Sequence, residues 1–279
     1  MGKFCPGRLG VWKVGTYIAL SLGDLALALL LIGITIFLSY WQKLGLGRDL
    51  LVGTVRSFVQ LMAVGYLLQG IFDLQKWYLV VLALFVMIAV AARTAYARQS
   101  VRWGALPGQM FVAIGASSLL TLGLVVLLIL KVQPWYNPRY VIPLAGMIIG
   151  NSMTGAALVV NRLTGEIESH RGQIEVALSL GATSRQAVAP YLREALRSAM
   201  MPTVAGMMTV GIVQLPGMMT GQIIAGTRPA LAVRYQVMVT YMIAAATALT
   251  TIGVALLAYS HFFTRDHQLV GVEDHGNQA

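Results

Sequence analysis

Few side chains in this sequence are placed to break or make covalent bonds. Its four histidines are His170, His261, His267 and His275, and the last two sit in a short polar tail. Cys5 is the only cysteine, so no intrachain disulfide and no cysteine-based metal centre can form. The sequence contains no G-x-x-x-x-G-K-[ST] phosphate loop, no H-E-x-x-H and no G-x-S-x-G. Hydrolysis of ATP by a phosphate loop is therefore excluded for this chain. What remains is a set of polar groups in apolar surroundings: Asp24, Arg56 with Gln60, Arg93, Asn151 and Gln214. A charge at the centre of a membrane helix costs about 2.5–3.5 kcal/mol, so such a residue pairs, reaches an interface or faces a polar path. Arg56 and Gln60 are four apart and share a helix face. Asp24 pairs with Arg56, faces a pathway as a cation ligand, or lies at the headgroups. Arg93 snorkels to an interface. Asn151 stands with Ser152 and Thr154 beside Gly146, Gly150 and Gly155. Small residues there let helices pack closely, and a polar path past Asn151 is the second reading.

The stretch around Gln214 is the most irregular. Pro216 with Gly211, Gly217 and Gly221 frees backbone carbonyls inside an apolar run. Such backbone is tolerated at membrane depth only where protein or a water-filled cavity surrounds it. The segment is expected to line a route or bend at a gate. Met207, Met208, Met218 and Met219 flank it. Thioethers suit Cu(I) better than hard iron, and methionine also fills gaps, so packing around a helix break is their first reading. The expected path set is thus Asp24, Arg56, Gln60, Asn151, Gln214, Pro216, Gly217, Met218 and Met219, with no metal ligand assigned.

These residues need elements to hold them, and the composition says of what kind. The chain has 279 residues, 57% of them hydrophobic and only 11% charged. A soluble domain is about 25% charged, so a water-soluble enzyme is excluded. An all-α integral membrane bundle is expected. Seven segments have the roughly 20 apolar residues that a span needs: 17–41, 50–72, 77–96, 110–130, 140–160, 202–224 and 233–263. Trp41, Trp77, Tyr78, Trp103, Trp135 and Tyr136 fall near their ends, where amphipathic rings favour the headgroup level. The organisation is then an extension over 1–16, five spans over 17–160, a polar stretch over 161–201, two spans over 202–263 and a polar tail over 264–279. The net charge of +10 comes from basic residues between apolar runs, with no basic stripe. It points to anionic lipid and membrane orientation rather than to nucleic acid. The side carrying the C-terminus and the 161–201 stretch holds the majority of them and is assigned to the cytoplasm.

The 161–201 stretch is the one soluble feature of any size. Ile167, Ile174, Ala177 and Leu178 share a helix face, Gly181 supplies a stop, and Thr183 with Gln186 fits a capping box that starts a second helix. The expectation is a helix, a sharp turn and a helix, forming a knob that a soluble partner can grip. Glu175, Ala177 and Gly181 match in spacing an E-A-A-x-x-x-G element carried by many ABC-transporter permeases, with Val176 in place of the middle alanine. Longer stretches extend the likeness: Ile142 to Met153, Leu178 to Thr183, Pro202 to Val204, Thr209 to Gly221 with its Leu-Pro-Gly-Met-Met run, and Arg234 to Val239. Together they resemble the FetB family of bacterial ABC permeases from Leu25 to about Val270.

That resemblance implies an iron-export permease of the bacterial inner membrane, not itself an enzyme. ATP and Mg would be bound by a separate ATPase subunit, in two copies beside a permease homodimer. It places ATPase docking at Glu175, Ala177, Leu178, Gly181, Ala182 and Thr183. Plant relatives are linked to aluminium tolerance and to UDP-glucose, so it implies scaffold and ATPase dependence more firmly than cargo. Export of a small polar metabolite or nucleotide sugar, an ion-coupled carrier without an ATPase, and a membrane sensor or scaffold are the rival readings.

Overall fold

The computed structural model describes residues 22–99, 106–264 and 268–269, except for the side chains of residues 22, 24–26 and 28. The expected extension, the side chain of Asp24 and most of the polar tail lie outside that set. Among the described residues there are nine α-helices: α1 (Leu22–Trp41), α2 (Gly47–Leu74), α3 (Trp77–Ala97), α4 (Leu106–Leu124), α5 (Pro138–Ser169), α6 (Arg171–Ser179), α7 (Ser184–Thr209), α8 (Gly217–Ile224) and α9 (Pro229–Ala258). A π-helical turn, Val125–Ile129, prolongs α4, and a 3-10 turn, Tyr259–Phe262, prolongs α9. No strand occurs among the described residues, only isolated bridges such as Val210 with Gln214.

Five helices are long and apolar enough to cross a membrane: α2, α3, α4 with its π turn, α5, and α9 with its 3-10 turn. Each overlaps one of the expected segments, and α5 runs past residue 160 to Ser169, into the expected polar stretch, before α6 begins at Arg171. The first expected segment is helical from Leu22 on, and its beginning lies outside the described residues. The sixth, 202–224, departs from a continuous span. Helix α7 ends at Thr209, the chain turns through Val210–Pro216, and α8 begins at Gly217. The cause is local. Gly211 takes φ +86°, a left-handed conformation that favours glycine. Pro216 has no N–H to donate and biases Leu215 away from helix.

The chain divides into two compact units, one holding residues up to Leu74 with Thr220–Ala232, the other Gln75–Met219 with Val233 onward. In the first, α1 packs on α2. Helix α2 buries only Ile71 and exposes Leu51, Val55, Phe58, Leu61, Tyr66 and Leu67 along its length. That surface would be costly in water and is natural in lipid.

In the second unit α5 is central and packs against α3, α4 and α7. Its buried face runs Val141, Leu144, Ala145, Ile148, Ser152, Ala156, Val159 and Leu163 down the helix at spacings of three and four. Asn137 caps its start, accepting from the Arg139 N–H at 3.2 Å, with Pro138 in the first turn. Helix α9 lies close against α5: a Cβ added at Gly155 would stand 2.8 Å from Thr247 Cγ2 and 2.9 Å from Thr251 Cγ2. Hydroxyls bind α9 elsewhere. Ser117 of α4 hydrogen-bonds Thr250, and Thr251 donates to the Met200 sulfur of α7 at 3.6 Å. Close glycine contact and hydroxyl bonds are how helices associate where lipid removes the hydrophobic drive.

Candidate functional site

Two places in the larger unit gather many of the residues singled out by sequence. The first is the knuckle between α6 and α7. Helix α6 ends in a Schellman cap: the Ala182 N–H donates to the Ala177 carbonyl and the Gly181 N–H to that of Leu178, each at 3.0 Å. Gly181 sits at φ +89° as this cap requires. Helix α7 starts at once, because Thr183 and Gln186 form the reciprocal capping box. Ile174 is fully buried and Tyr191 donates to Gln173 at 2.8 Å, so α6 is tied back onto α7. The His170 ring stacks on Tyr191, 4.6 Å between centroids. The outer face stays open: Leu180 is 83% exposed, and Val176 and Glu175 are exposed. Glu175 pairs with Arg171 at 2.9 Å across a helix turn. Ala177, Leu178 and Ala182 are half-buried at the base. A compact, braced protrusion with an apolar tip results, and it is a shape that a cleft in another protein can grip.

The second place is a cleft where α7 breaks. Its walls are Asn151 of α5, Pro202, Thr203, Gly206 and Met207 of α7, Val210, Gln214 and Pro216 of the break, and Gln236, Thr240 and Ile243 of α9, around about 290 Å³. A more apolar cleft of about 420 Å³ adjoins it, sharing Met207, Val210, Gln236 and Thr240 and adding Leu215, Met219 and Tyr241. The break is held by its own backbone. The Thr209 carbonyl accepts from the N–H groups of Ile212, Val213 and Gln214 at 3.3, 3.0 and 3.3 Å, and the Gly211 N–H donates to Gln214 at 2.9 Å. This turn pushes Ile212 and Val213 outward, 89% and 80% exposed.

Of the residues expected on a path, Asn151, Gln214, Pro216 and Met219 thus meet around these clefts. Gly217 and Met218 open α8 beside them. Arg56 and Gln60 lie exposed on α2 in the other unit. Asp24 is in α1, with its side chain outside the described residues. Gln236, Thr240 and Thr203 were not singled out by sequence. The available signal was an amide and a hydroxyl four apart in an apolar helix, Gln236 and Thr240, which share a face. No group of three or more His, Cys, Asp or Glu that could hold a metal occurs among the described residues.

The chain's similarity to known proteins bears on what this arrangement serves. A model of the Uncharacterised protein family UPF0014 matches residues 22–263. The chain belongs to the UPF0014 family. It is 41% identical over 247 residues to the Probable iron export permease protein FetB of Escherichia coli, covering 88% of this chain and 94% of that one. It is 38% identical over 246 residues to the UPF0014 membrane protein YjkA of Bacillus subtilis, covering 88% and 97%. It is 36% identical over 245 residues to the Protein ALUMINUM SENSITIVE 3 of Arabidopsis thaliana, covering 88% of each. No solved structure matches. Both the knuckle and the cleft fall inside the UPF0014 match, and the apolar helices fit a family whose bacterial members are named membrane proteins.

Proposed function

We propose that this UPF0014 protein is the permease subunit of an ABC transporter that exports iron or a related metal from the cytosol. The observation that carries the reading is its 41% identity, over 88% of its length, to a protein named a probable iron export permease. Power comes from ATP, hydrolysed with Mg on a separate ATPase subunit. The braced knuckle supports that partnership. Its apolar tip at Leu180 and Val176, with Glu175 and Arg171 beside it, gives a motor subunit both a hydrophobic anchor and a polar rim. Two permeases and two ATPases make the working complex. The chain crosses the bacterial inner membrane seven times, residues 202–224 providing the sixth crossing. The knuckle and the C-terminus face the cytoplasm.

Purification of the chain from cells co-expressing a candidate ATPase tests this reading. The ATPase is expected to co-purify, and Glu175→Arg or Gly181→Trp is expected to release it. A purified, transport-competent chain with no nucleotide-hydrolysing companion would sink it.

One observation favours a second cargo on the same scaffold. The 290 Å³ cleft is lined by amides, hydroxyls and apolar groups, with no carboxylate or thiol among them. A small polar metabolite or nucleotide sugar suits such walls. Stimulation of the complex's ATP hydrolysis in vesicles by ferrous ion, or instead by UDP-glucose, separates the two.

A further inference from the structure

Gln236, in the second turn of α9, is only 8% exposed. Its side-chain N–H donates to Thr240 Oγ1 over 3.3 Å, while the Thr240 hydroxyl donates back to the Gln236 carbonyl at 2.9 Å. The side-chain oxygen, Oε1, is buried with no hydrogen-bond partner. Buried acceptors are nearly always paired, and leaving one unpaired is destabilising. Gln236 also forms part of the wall shared by the two clefts. Asn151 faces the same cavity, and its amide nitrogen is committed to the Met147 carbonyl at 2.8 Å, which leaves its oxygen to meet a solute. Gln214 brings a third amide from the break.

Three neutral amides gathered in the wall of one cavity can offer it oxygens that select for donors. We propose that Gln236 is a specificity-determining residue of the cleft, accepting a hydrogen bond from a cargo that presents several O–H groups at once. This deepens the transporter reading above and rests on it. Oε1 is shut from solvent in the present conformation, so the amide turns into the cleft when cargo enters and gives up its long bond to Thr240. Two sources carry the required donors: the water shell of a hydrated cation and the hydroxyls of a sugar. Six waters at about 30 Å³ each fill about 180 Å³, which the 290 Å³ cavity holds with room to spare.

The test uses the full chain purified in detergent, its thermal stability titrated with ferrous ion under anoxia and, separately, with UDP-glucose. One probe is expected to stabilise the wild type, and Gln236→Leu is expected to raise its half-saturating concentration about tenfold. Gln236→Met, nearer in shape, is read beside it in case the leucine variant does not fold. Gln236→Glu separates the sources: added negative charge lowers the half-saturating concentration for ferrous ion and does not lower it for the sugar. A purely structural glutamine would leave the half-saturating concentration of the effective probe unchanged in the variants that fold. If the Leu or Met variant binds the effective probe as the wild type does, the inference is overturned, while flux measured with the ATPase leaves the transporter reading standing. A wild type that binds neither probe overturns the inference as well, and one that also shows no powered flux overturns both.

Discussion

Glycine stands at three different kinds of position in this chain, and substitution by alanine tells them apart. At Gly155 the new methyl would stand 2.8 Å and 2.9 Å from the Thr247 and Thr251 methyls, so α5 and α9 must separate. Overpacking of this kind costs about 1–3 kcal/mol. Thermal unfolding in detergent should show Gly155→Ala clearly less stable, with part of the loss recovered in the Gly155→Ala, Thr247→Ala double variant. At Gly181 there is open space, and the penalty is the backbone's, φ +89° costing an alanine about 1–2 kcal/mol. Faster proteolytic cutting between residues 180 and 183 is the expected sign. Gly165, inside α5 with nothing near its would-be Cβ, has neither constraint. Gly165→Ala should raise stability by about 0.5–1 kcal/mol in the same unfolding assay.

Among the helices, what was legible in the sequence was what local chemistry dictates. The Thr183–Gln186 box and the Gly181 stop follow from side chains that satisfy backbone groups within a few residues, and the structure has both. Five of the apolar segments became helices of spanning length for the same reason, since a run of apolar residues needs no distant partner to be recognised. The break at 210–216 was legible in Pro216 and the glycines, but not its extent. Averaged over a span's length, Ile212 and Val213 read as membrane, although the turn pushes their side chains outward. The cleft was half legible. Asn151 and Gln214 announce themselves as amides in apolar runs, whereas the role of Gln236 depends on which helices the tertiary fold brings to it. The break also makes a prediction. Gly211→Ala must force an alanine to φ +86°, whereas Pro216→Ala removes only a bias. Cargo flux in vesicles is expected to fall more with Gly211→Ala than with Pro216→Ala; equal, unchanged fluxes would deny the break a role.

At the scale of the whole unit, α2 leaves apolar surface uncovered within its own unit along nearly its full length, and that surface calls for lipid or further protein. Orientation is open to a direct measurement. In a chain with Cys5→Ser and a single new cysteine at Leu180, a membrane-impermeant thiol reagent should label inverted vesicles and spare sealed right-side-out ones. The 83% exposure of Leu180 makes the site accessible and the substitution nearly neutral for stability.

Helix α5 runs 32 residues without interruption from Pro138 to Ser169, which at 1.5 Å per residue is about 48 Å. The oily layer of a bilayer is about 30 Å thick, so this rod must jut well clear of it. Its projecting end abuts the α6 knuckle, and Asn151 lies partway along it, in the wall of the cleft. On the transporter reading proposed above, such a stiff shaft between knuckle and cleft would turn a nudge at one end into a displacement at the other. Fitting a flexible joint midway should leave fuel being burned with nothing carried.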